Sequence, residues 1–398
     1  MILHKVLIFH TIDALHQIFE ENQYSDRVLE KIFKTNKVLG ARDRGFIAES
    51  VYDILRFYRL YHFVTEPKAD WWSIIVAYFI DKEIELPDWP EIYKVDIPGI
   101  QEKFIKAKGI RYIRESIPDW LDQLGSSELK DQWEIELKAL NQLAPVIIRA
   151  NTIKISREKL KQKLKDLNIE SFESADHPDA LILKVRRNIF GTDLFKSGFF
   201  ELQDASSQLV ARFCEVEPGM KVIDACAGAG GKALHLGSLM QNKGQVLALD
   251  TEEWKLNELK LRARRNGIHI IETRVIESTK TIKRLDKKAD RVLLDVPCSG
   301  LGVLRRNPDT KWKLNEEFLN RVRSTQSEIL QSYSRMVKPE GKLIYCTCSI
   351  LPSENQLQVQ NFLQKNPDWK LEDEKIILPS VSGYDGFYMA KIVQNVKQ

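Results

Sequence analysis

Two cysteines in the second half of the sequence lie just after apolar runs. Cys298 follows the run that ends at Asp295, and Cys348 follows the run that ends at Thr347. A thiolate is a strong nucleophile, and an adjacent positive charge or helix N-terminus lowers the thiol pKa from its usual value of about 8.5. If both runs are strands of one sheet, the two thiols face one ligand, and nucleophilic catalysis by sulfur is the chemistry to expect.

The other cysteines are better explained by packing. The chain has five cysteines, an odd number, and none form a C-x-x-C pair, which argues against a disulfide framework or a zinc ribbon. We expect reduced thiols and no bound metal. Free cysteine often packs as a small hydrophobic residue, which is our interpretation of Cys214 and Cys226. Cys346 lies on the same predicted strand as Cys348, and we assign it a structural role.

A glycine-rich turn follows the apolar run that ends at Asp224. The turn spans residues 225–232, Ala-Cys-Ala-Gly-Ala-Gly-Gly-Lys, and a helical pattern begins beyond it. Small residues let the backbone approach a ligand, and a helix N-terminus offers free amide groups. The spacing fits neither the phosphate-binding P-loop nor the dinucleotide fingerprint, so a merely tight turn between strand and helix is the alternative.

Asp250 supports a nucleoside ligand at this turn. It ends the next apolar run, about twenty residues after the glycines, where an acidic side chain can accept hydrogen bonds from both ribose hydroxyls. Alone, an aspartate at a strand end could simply cap the following helix. The turn and Asp250 together predict a nucleoside cofactor.

Apolar strand candidates must position these residues. They alternate with helical patterns and cover residues 221–225, 245–250, 270–276, 291–295 and 341–347. This layout predicts a parallel, doubly wound sheet in an α/β domain over residues 201–398. The carboxyl ends of parallel strands share one edge, so the cysteine loops, the glycine turn and Asp250 should surround one crevice.

Two further domains are predicted upstream. Apolar residues recur every three or four positions over residues 6–65, residues 100–117 give another helical pattern, and residues 67–98 give none that can be assigned. Residues 1–125 are therefore predicted to form a helical domain. Residues 126–200 are predicted to form a small α+β domain. Its helices cover residues 128–143 and 157–167, and its strands lie at 145–151, near 171 and at 180–185.

The bulk composition limits the class of protein. A chain of 398 residues exceeds what one hydrophobic core organises, so two or three domains are expected. The content of 43% hydrophobic and 29% charged residues is ordinary for a globular protein, and a formal net charge of +4 permits a nucleic-acid partner without requiring one. The N-terminus lacks a signal-peptide pattern, and the apolar run at 71–80 is about half of what spans a bilayer. We expect a cytoplasmic, monomeric protein without a membrane partner.

Several segments resemble the RsmB/Sun family of RNA cytosine-5 methyltransferases. They are the glycine turn at 224–232, Asp-Val-Pro-Cys at 295–298 and Thr-Cys-Ser at 347–349, with further similarity at 200–208 and 305–309. Residues 42–44 and 51–56 are similar to the NusB-like domain of the bacterial 16S ribosomal RNA member, and residues 144–152 to the family's RNA-recognition-like domain. The resemblance implies a Rossmann-like methyltransferase domain, S-adenosylmethionine as cofactor and RNA as substrate.

The resemblance also implies roles for single residues. Cys348 would attack carbon 6 of cytosine, Cys298 would assist release of the product, and Asp295 would lie near ring nitrogen 3. DNA cytosine-5 methyltransferases instead use the cysteine of their Pro-Cys motif as nucleophile. The residues implied to bind the cofactor are Cys226, Ala227, Gly228, Ala229, Gly230, Gly231, Lys232, Asp250, Glu277 and Asp295. The family usually has Ala-Pro at 228–229 and Asp in place of Glu277, and Lys232 could contact either substrate or cofactor.

RNA contacts are expected from basic residues near the Cys298 loop. A target cytosine must be unstacked to reach the crevice, and basic side chains then hold the flanking phosphates. The candidates are Arg305, Arg306, Lys311 and Lys313. Lys159, Lys161, Lys163 and Lys165 are interpreted as a solvated helix face.

The substrate and the class of protein keep alternatives. Small-subunit ribosomal RNA is the first candidate substrate, and transfer RNA is the second. A methyltransferase of the same fold that acts on a protein, a DNA or a small molecule would leave the cysteine pair unexplained. A ribosome-assembly factor that binds RNA without catalysis would not need the pair.

Overall fold

The computed structural model describes residues 3–395. The chain forms two compact units, Met1–Gln142 with Leu304–Asn315, and Leu143–Val303 with Glu316–Gln398. The α-helices, in chain order, are α1 (Lys5–Phe19), α2 (Ser25–Thr35), α3 (Ala41–Thr65), α4 (Trp71–Asp81), α5 (Ile97–Ala107), α6 (Arg111–Arg114), α7 (Asp119–Leu129), α8 (Gln132–Leu140), α9 (Arg157–Asp166), α10 (Asp193–Lys196), α11 (Ala205–Phe213), α12 (Gly231–Leu239), α13 (Glu253–Asn266), α14 (Thr279–Lys283), α15 (Thr310–Lys313), α16 (Glu316–Tyr333), α17 (Gln356–Lys365) and α18 (Pro379–Ser382).

The β-strands all lie in the second unit. In chain order they are β1 (Ile147–Ala150), β2 (Ser171–Ser174), β3 (His177–Leu183), β4 (Phe200–Leu202), β5 (Lys221–Asp224), β6 (Gln245–Asp250), β7 (Ile271–Val275), β8 (Ala289–Asp295), β9 (Val337–Thr347), β10 (Trp369–Ile377) and β11 (Phe387–Gln394). Short 3-10 helices lie at Ile92–Lys94, Leu301–Val303, Ser334–Met336 and Pro352–Glu354.

The first unit is helical and packs around one apolar core. Helix α3 shows why its sequence folds this way. The Asp43 carboxylate accepts a hydrogen bond from the Gly40 amide at 2.9 Å, which caps the first turn. Apolar side chains at helical spacing then enter the core, among them Ile47, Val51 and Ile54, all fully buried. The helical pattern predicted over residues 6–65 is confirmed.

Helix α4 lies in the stretch to which the sequence assigned no element. Its first turn is capped by Asp70, whose carboxylate accepts from the Ser73 amide at 2.8 Å. Every residue from 73 to 79 is buried. A helix surrounded by protein has no polar face, so its sequence lacks the amphipathic period from which helices are predicted. Among residues 3–395, no helix is both long and apolar enough to cross a bilayer.

Two predicted helices are broken in the structure. The helix expected over residues 100–117 is divided into α5, which ends at Ala107, and the short α6. The helix expected over residues 128–143 was wrong at its start, because α7 ends near Lys130, whose φ is 51°, and α8 begins at Gln132. Both breaks are turns within apolar sequence, which periodicity alone does not detect.

The smaller sheet of the second unit has the strand order β2-β3-β1-β4, and its neighbouring strands are antiparallel. Helix α9 packs Leu160 and Leu164 into the core beneath it, together with Ile148 and Leu181. The predicted small α+β region is confirmed.

The larger sheet has the order β10-β11-β9-β8-β5-β6-β7. The strands from β9 to β7 are parallel, as predicted, but β10 and β11 add an antiparallel edge that was not predicted. Strand β10 is exposed along most of its length and carries alternating charges, so it lacks the apolar run that marks a buried strand. The Rossmann-like fold class is confirmed, with a mixed sheet.

Candidate active site

The register between β8 and β9 brings the two cysteine loops together. Asp295, the last residue of β8, pairs with Cys346 on the parallel strand β9. Cys298 and Cys348 therefore leave the same edge of the sheet, and their Sγ atoms lie 3.2 Å apart. Both side chains are half-buried. The structure thus juxtaposes the two thiols that the sequence placed at one crevice.

The contact between the sulfurs changes the acidity of Cys298. Its hydrogen bond with Cys348 and its burial both raise the pKa of the Cys298 thiol, and the negative charge of Glu354 adds to the effect. Cys298 is therefore protonated at neutral pH. A protonated thiol can donate its S–H to the Cys348 sulfur.

Asp295 lies between a lysine and a third cysteine. Lys232 Nζ donates to Asp295 Oδ2 at 2.6 Å, and Cys346 Sγ donates to Oδ1 at 3.4 Å. Burial alone would lower the pKa of Lys232, but the Asp295 charge more than offsets it and the pKa is raised. Burial and the same carboxylate raise the pKa of Cys346. Lys232 is thus a permanent cation paired with Asp295, and Cys346 is a protonated structural thiol.

A cavity of about 870 Å³ adjoins this cluster. Of the residues implied to bind a cofactor, four line it, namely Cys226, Gly228, Asp250 and Asp295. Most of the remaining wall was missed by sequence reasoning. It includes Thr251, Lys255, Ile276, Ser278, Ile282, Val296, Pro297, Ile329 and Tyr333. Thr251, Ile276 and Val296 directly follow strand ends, so their position was a usable signal, whereas nothing local marks the residues that α16 contributes.

Asp250 fixes the glycine turn to the end of β6. Its Oδ2 accepts from the Gly228 amide at 2.8 Å and its Oδ1 from the Glu252 amide at 2.9 Å. Gly228 has a φ of 53° and open space where a Cβ would stand, so a larger residue would be strained and would occupy the cavity. Gly230 has a φ of 86°, and a Cβ there would meet Leu259 at 2.2 Å. The turn needs its glycines for two different reasons, ligand space and packing.

The rest of the turn lies behind the cavity wall. The Ala227 amide donates to the Leu249 carbonyl at 2.9 Å. The Ala229 carbonyl accepts from Arg262 and the Gly231 carbonyl from Arg149, at 2.8 and 2.7 Å. These residues shape the turn through the backbone, with their small side chains away from the cavity.

Glu277 is placed differently from the implied cofactor contact. It is exposed and lines a separate, smaller cavity together with Arg274 and Arg284. Its neighbours Ile276 and Ser278 line the larger cavity instead. Strand β7 ends at Val275, so a shift of one position in the loop beyond it decides which side chain faces the ligand. We therefore do not carry Glu277 forward.

Asp224 is a fully buried carboxyl at the end of β5. Neither of its oxygens has a hydrogen-bond partner in the described part of the chain. Burial, and then the charge of Asp295, raise its pKa to about 7. The folded protein therefore holds this proton more tightly than the unfolded chain does, whose aspartates titrate near about 3.9.

This raised pKa predicts a pH-dependent stability. The contribution is complete below the unfolded pKa and is lost as the pH rises through about 7. Because Asn stays neutral, Asp224→Asn should raise the free energy of unfolding by about 1 to 4 kcal/mol more at pH 8 than at pH 4. Urea unfolding at both pH values checks this. An equal effect at the two pH values would show that Asp224 does not titrate in between.

The basic segment after Cys298 belongs to the helical unit. Lys311 is 2% exposed, and its Nζ donates to the Arg56 carbonyl at 2.7 Å. Arg305 is also buried, and its carbonyl accepts from Arg56 Nη2 at 3.1 Å. Arg306 and Lys313 are half-buried, and Lys313 donates to the Gln23 carbonyl. Lys311 and Arg305 thus pack inside this unit, a placement that does not suit a phosphate contact, because composition cannot distinguish an exposed lysine from a buried one.

We expect Lys311→Met to act on stability and not on RNA binding. The change leaves the Arg56 carbonyl without its buried donor, which costs about 1 to 3 kcal/mol. Thermal unfolding and the salt dependence of RNA affinity measure the two effects separately. A lower RNA affinity with a reduced salt slope, at unchanged stability, would return Lys311 to the RNA-binding surface.

The lysines of α9 follow the interpretation as a solvated face. Lys159, Lys163 and Lys165 are exposed, and Lys161 Nζ binds Glu173 at 2.9 Å. Exposed pairs of this kind contribute little to stability.

A parallel sheet, a glycine turn with an acidic strand end and a cavity beside them define a Rossmann-like enzyme with a nucleoside cofactor. The paired thiols at the cavity edge add a nucleophile.

Known proteins agree with this class. Residues 212–393 match the family model described as 16S rRNA methyltransferase RsmB/F, and residues 117–189 match the RsmF/B-like ferredoxin-like domain. The chain is 28% identical to the probable ribosomal RNA small subunit methyltransferase B of Bacillus subtilis, over 96% of this chain and 97% of that one. It is 32% identical to ribosomal RNA small subunit methyltransferase B of an Escherichia coli strain, over 72% and 68% of the two chains. The crystal structure of PH0851 superposes with a TM-score of 0.82 at 25% identity, over 99% of this chain and 100% of that one.

The chain belongs to the 16S ribosomal RNA methyltransferase RsmB/F family. It is an RNA methyltransferase with S-adenosylmethionine as cofactor, and its small antiparallel sheet belongs to the ferredoxin-like domain of the family. The resemblance found in the sequence is confirmed.

The cavity fits this cofactor. The buried Asp250 carboxylate lies in its wall, where it can accept ribose hydroxyls, and Gly228 leaves space that a Cβ would fill. Apolar side chains of Ile276, Ile329 and Tyr333 offer a surface for a purine ring.

Proposed function

We propose that this chain methylates carbon 5 of cytosine in small-subunit ribosomal RNA, with Cys348 as nucleophile and Cys298 as its partner. The observation that carries the proposal is the 3.2 Å separation of the two sulfurs beside Asp295, which lines the cofactor cavity. Methyl transfer to a nitrogen or oxygen atom, already nucleophilic, gives no role to two thiols at this position.

The chemistry of cytosine explains why two thiols are useful. Carbon 5 is a poor nucleophile until a group adds at carbon 6. The Cys348 thiolate forms that bond, and its electron pair makes carbon 5 reactive. S-adenosylmethionine, when bound, supplies the methyl group. The proton on carbon 5 then leaves, the sulfur–carbon bond breaks, and the ring double bond is restored.

The structure supports different roles for the two cysteines. The raised pKa of Cys298 keeps it protonated, so it is poorly suited to attack and well suited to exchange a proton near Cys348. In this proposal Cys298 assists loss of the carbon 5 proton and release of Cys348. The assignment distinguishes this enzyme from DNA methyltransferases, which attack with the cysteine of the Pro-Cys motif.

Asp295 and Lys232 are proposed to hold the cytosine ring. The ammonium of Lys232 neutralises the Asp295 charge at 2.6 Å, and the carboxylate can accept a hydrogen bond from the amino group of the base. Negative charge that builds on the ring after Cys348 adds is then stabilised by the nearby cation. Lys232 is not in the cavity wall, which favours this substrate role over a cofactor contact.

The choice of RNA follows the named relatives, which are ribosomal RNA small subunit methyltransferases. We propose a cytoplasmic site of action on that RNA. Bisulfite sequencing of total RNA from cells with and without the gene tests the substrate. The proposal expects protected cytosines in small-subunit ribosomal RNA that disappear with the gene. Loss of protection in transfer RNA alone would assign the other substrate.

A further inference from the structure

A buried carboxylate connects the two cysteine loops. Glu354 ends the 3-10 helix Pro352–Glu354, and its side chain is fully buried. Its Oε1 accepts from the Ser299 amide at 2.8 Å and from Gln326 Nε2 at 3.0 Å. Its Oε2 accepts from the Ser299 hydroxyl at 2.5 Å and from the Ser349 hydroxyl. Donors from both loops and from α16 therefore converge on one side chain.

The donors are the immediate neighbours of the reactive thiols. Ser299 follows Cys298 and Ser349 follows Cys348, so the carboxylate is bonded to the residue beside each cysteine. Gln326 Nε2 also donates to the Pro297 carbonyl at 2.9 Å, which fixes the other side of Cys298. The Glu354 carbonyl accepts from the Tyr345 hydroxyl at 2.6 Å, which anchors the acceptor to β9.

These bonds are of the kind that set positions. Hydrogen bonds to a charged acceptor are shorter and stronger than neutral ones, and a low-dielectric surrounding strengthens them further. Four donors satisfy the carboxylate, and Ser299, Ser349 and Gln326 are themselves buried. The backbone next to each thiol therefore has little freedom to move relative to the other.

We propose that Glu354 is a positioning residue that fixes the separation of the Cys298 and Cys348 sulfurs. It does not touch either sulfur in its hydrogen-bond set, and it acts through Ser299 and Ser349. Its catalytic consequence rests on the proposed function, because the spacing matters only if both thiols serve one cytosine.

The test uses the two thiols as a ruler that needs no substrate. In a glutathione redox buffer the protein dithiol and oxidised glutathione give a protein disulfide and two reduced glutathione molecules. The equilibrium constant measures how closely the thiols are held. We expect Glu354→Gln, which keeps the volume but loses the charge, to lower the constant for the Cys298–Cys348 pair by about tenfold or more. Peptide mass spectrometry identifies the pair.

Glu201→Gln is the matched control. Glu201 is another buried carboxylate of the same unit, held by Arg262, Arg265 and Asn266 and without a hydrogen bond to either cysteine loop. It should lower stability and leave the thiol equilibrium as in the wild type. A wild-type equilibrium in folded Glu354→Gln would overturn the proposal. If that variant does not fold, Ser349→Ala and Ser299→Ala, which each leave the other loop attached, take its place under the same criterion.

Kinetics supply the second readout. Small misplacements of reacting groups cost about 100-fold in rate, so Glu354→Gln should lower kcat by about that factor with unchanged KM for RNA and unchanged cofactor affinity. A loss shared equally by KM and cofactor affinity would indicate general damage and overturn the positioning role. If Cys348→Ala retained activity, the proposed function would fail while the glutathione equilibrium would still report on Glu354.

Discussion

Cys298→Ala should accumulate a covalent protein–RNA adduct that survives denaturing electrophoresis. The variant keeps the Cys348 nucleophile and can still form the bond to carbon 6 and accept the methyl group on carbon 5. It lacks the thiol that assists loss of the carbon 5 proton, so release becomes the slow step. Turnover should fall by about a thousandfold, while methyl transfer in a single turnover is reduced much less. Gel shift and single-turnover labelling measure both.

Cys348→Ala should fail in a different way. Without the attacking sulfur it forms no adduct, and its activity should be undetectable. The double variant with Cys298→Ala should likewise form no adduct, which would assign the bond to Cys348. Cys214→Ala is the matched control, because its thiol is buried and bonded to the Val210 carbonyl at 3.3 Å. An adduct in Cys348→Ala that vanishes in Cys298→Ala would reverse the two roles.

Asp250→Ala should weaken S-adenosylmethionine binding by about 1.5 to 3 kcal/mol, or roughly 10- to 150-fold in Kd. The change removes an acceptor for the ribose hydroxyls and also the two backbone bonds through which Asp250 shapes the glycine turn. Calorimetric titration measures the affinity, and circular dichroism confirms the fold.

Glu277→Ala is the control for Asp250. Both variants remove one carboxylate near the end of a parallel strand, but only Asp250 lines the larger cavity. Cofactor affinity in Glu277→Ala should equal that of the wild type. Equal losses in the two variants would place Glu277 at the cofactor after all.

The convergence of the site was predictable because parallel strands share their carboxyl edge. Once Asp224, Asp250, Asp295 and Thr347 end neighbouring strands, their loops must meet. The sequence could not reveal the antiparallel strand β10, since its charged residues hide it. Nor could it orient side chains in loops, which is why Glu277 was chosen where Ile276 and Ser278 face the cavity.

Buried polar groups were the other limit. Lys311 and Glu354 look like ordinary surface residues in the sequence, and only tertiary packing shows that both are buried and bonded. Their partners lie far away along the chain, so no local pattern links them. Positions of this kind become visible when the donors around each buried charge are examined.

Tritium release tests the central claim most directly. RNA labelled with tritium on carbon 5 of cytosine is incubated with the enzyme and S-adenosylmethionine, and water-borne tritium is compared with transferred methyl groups. Methylation at carbon 5 requires that atom to lose its hydrogen, so the account predicts one tritium released per methyl group, and no release by Cys348→Ala. Methyl transfer without tritium release would place the modification on another atom and contradict the account.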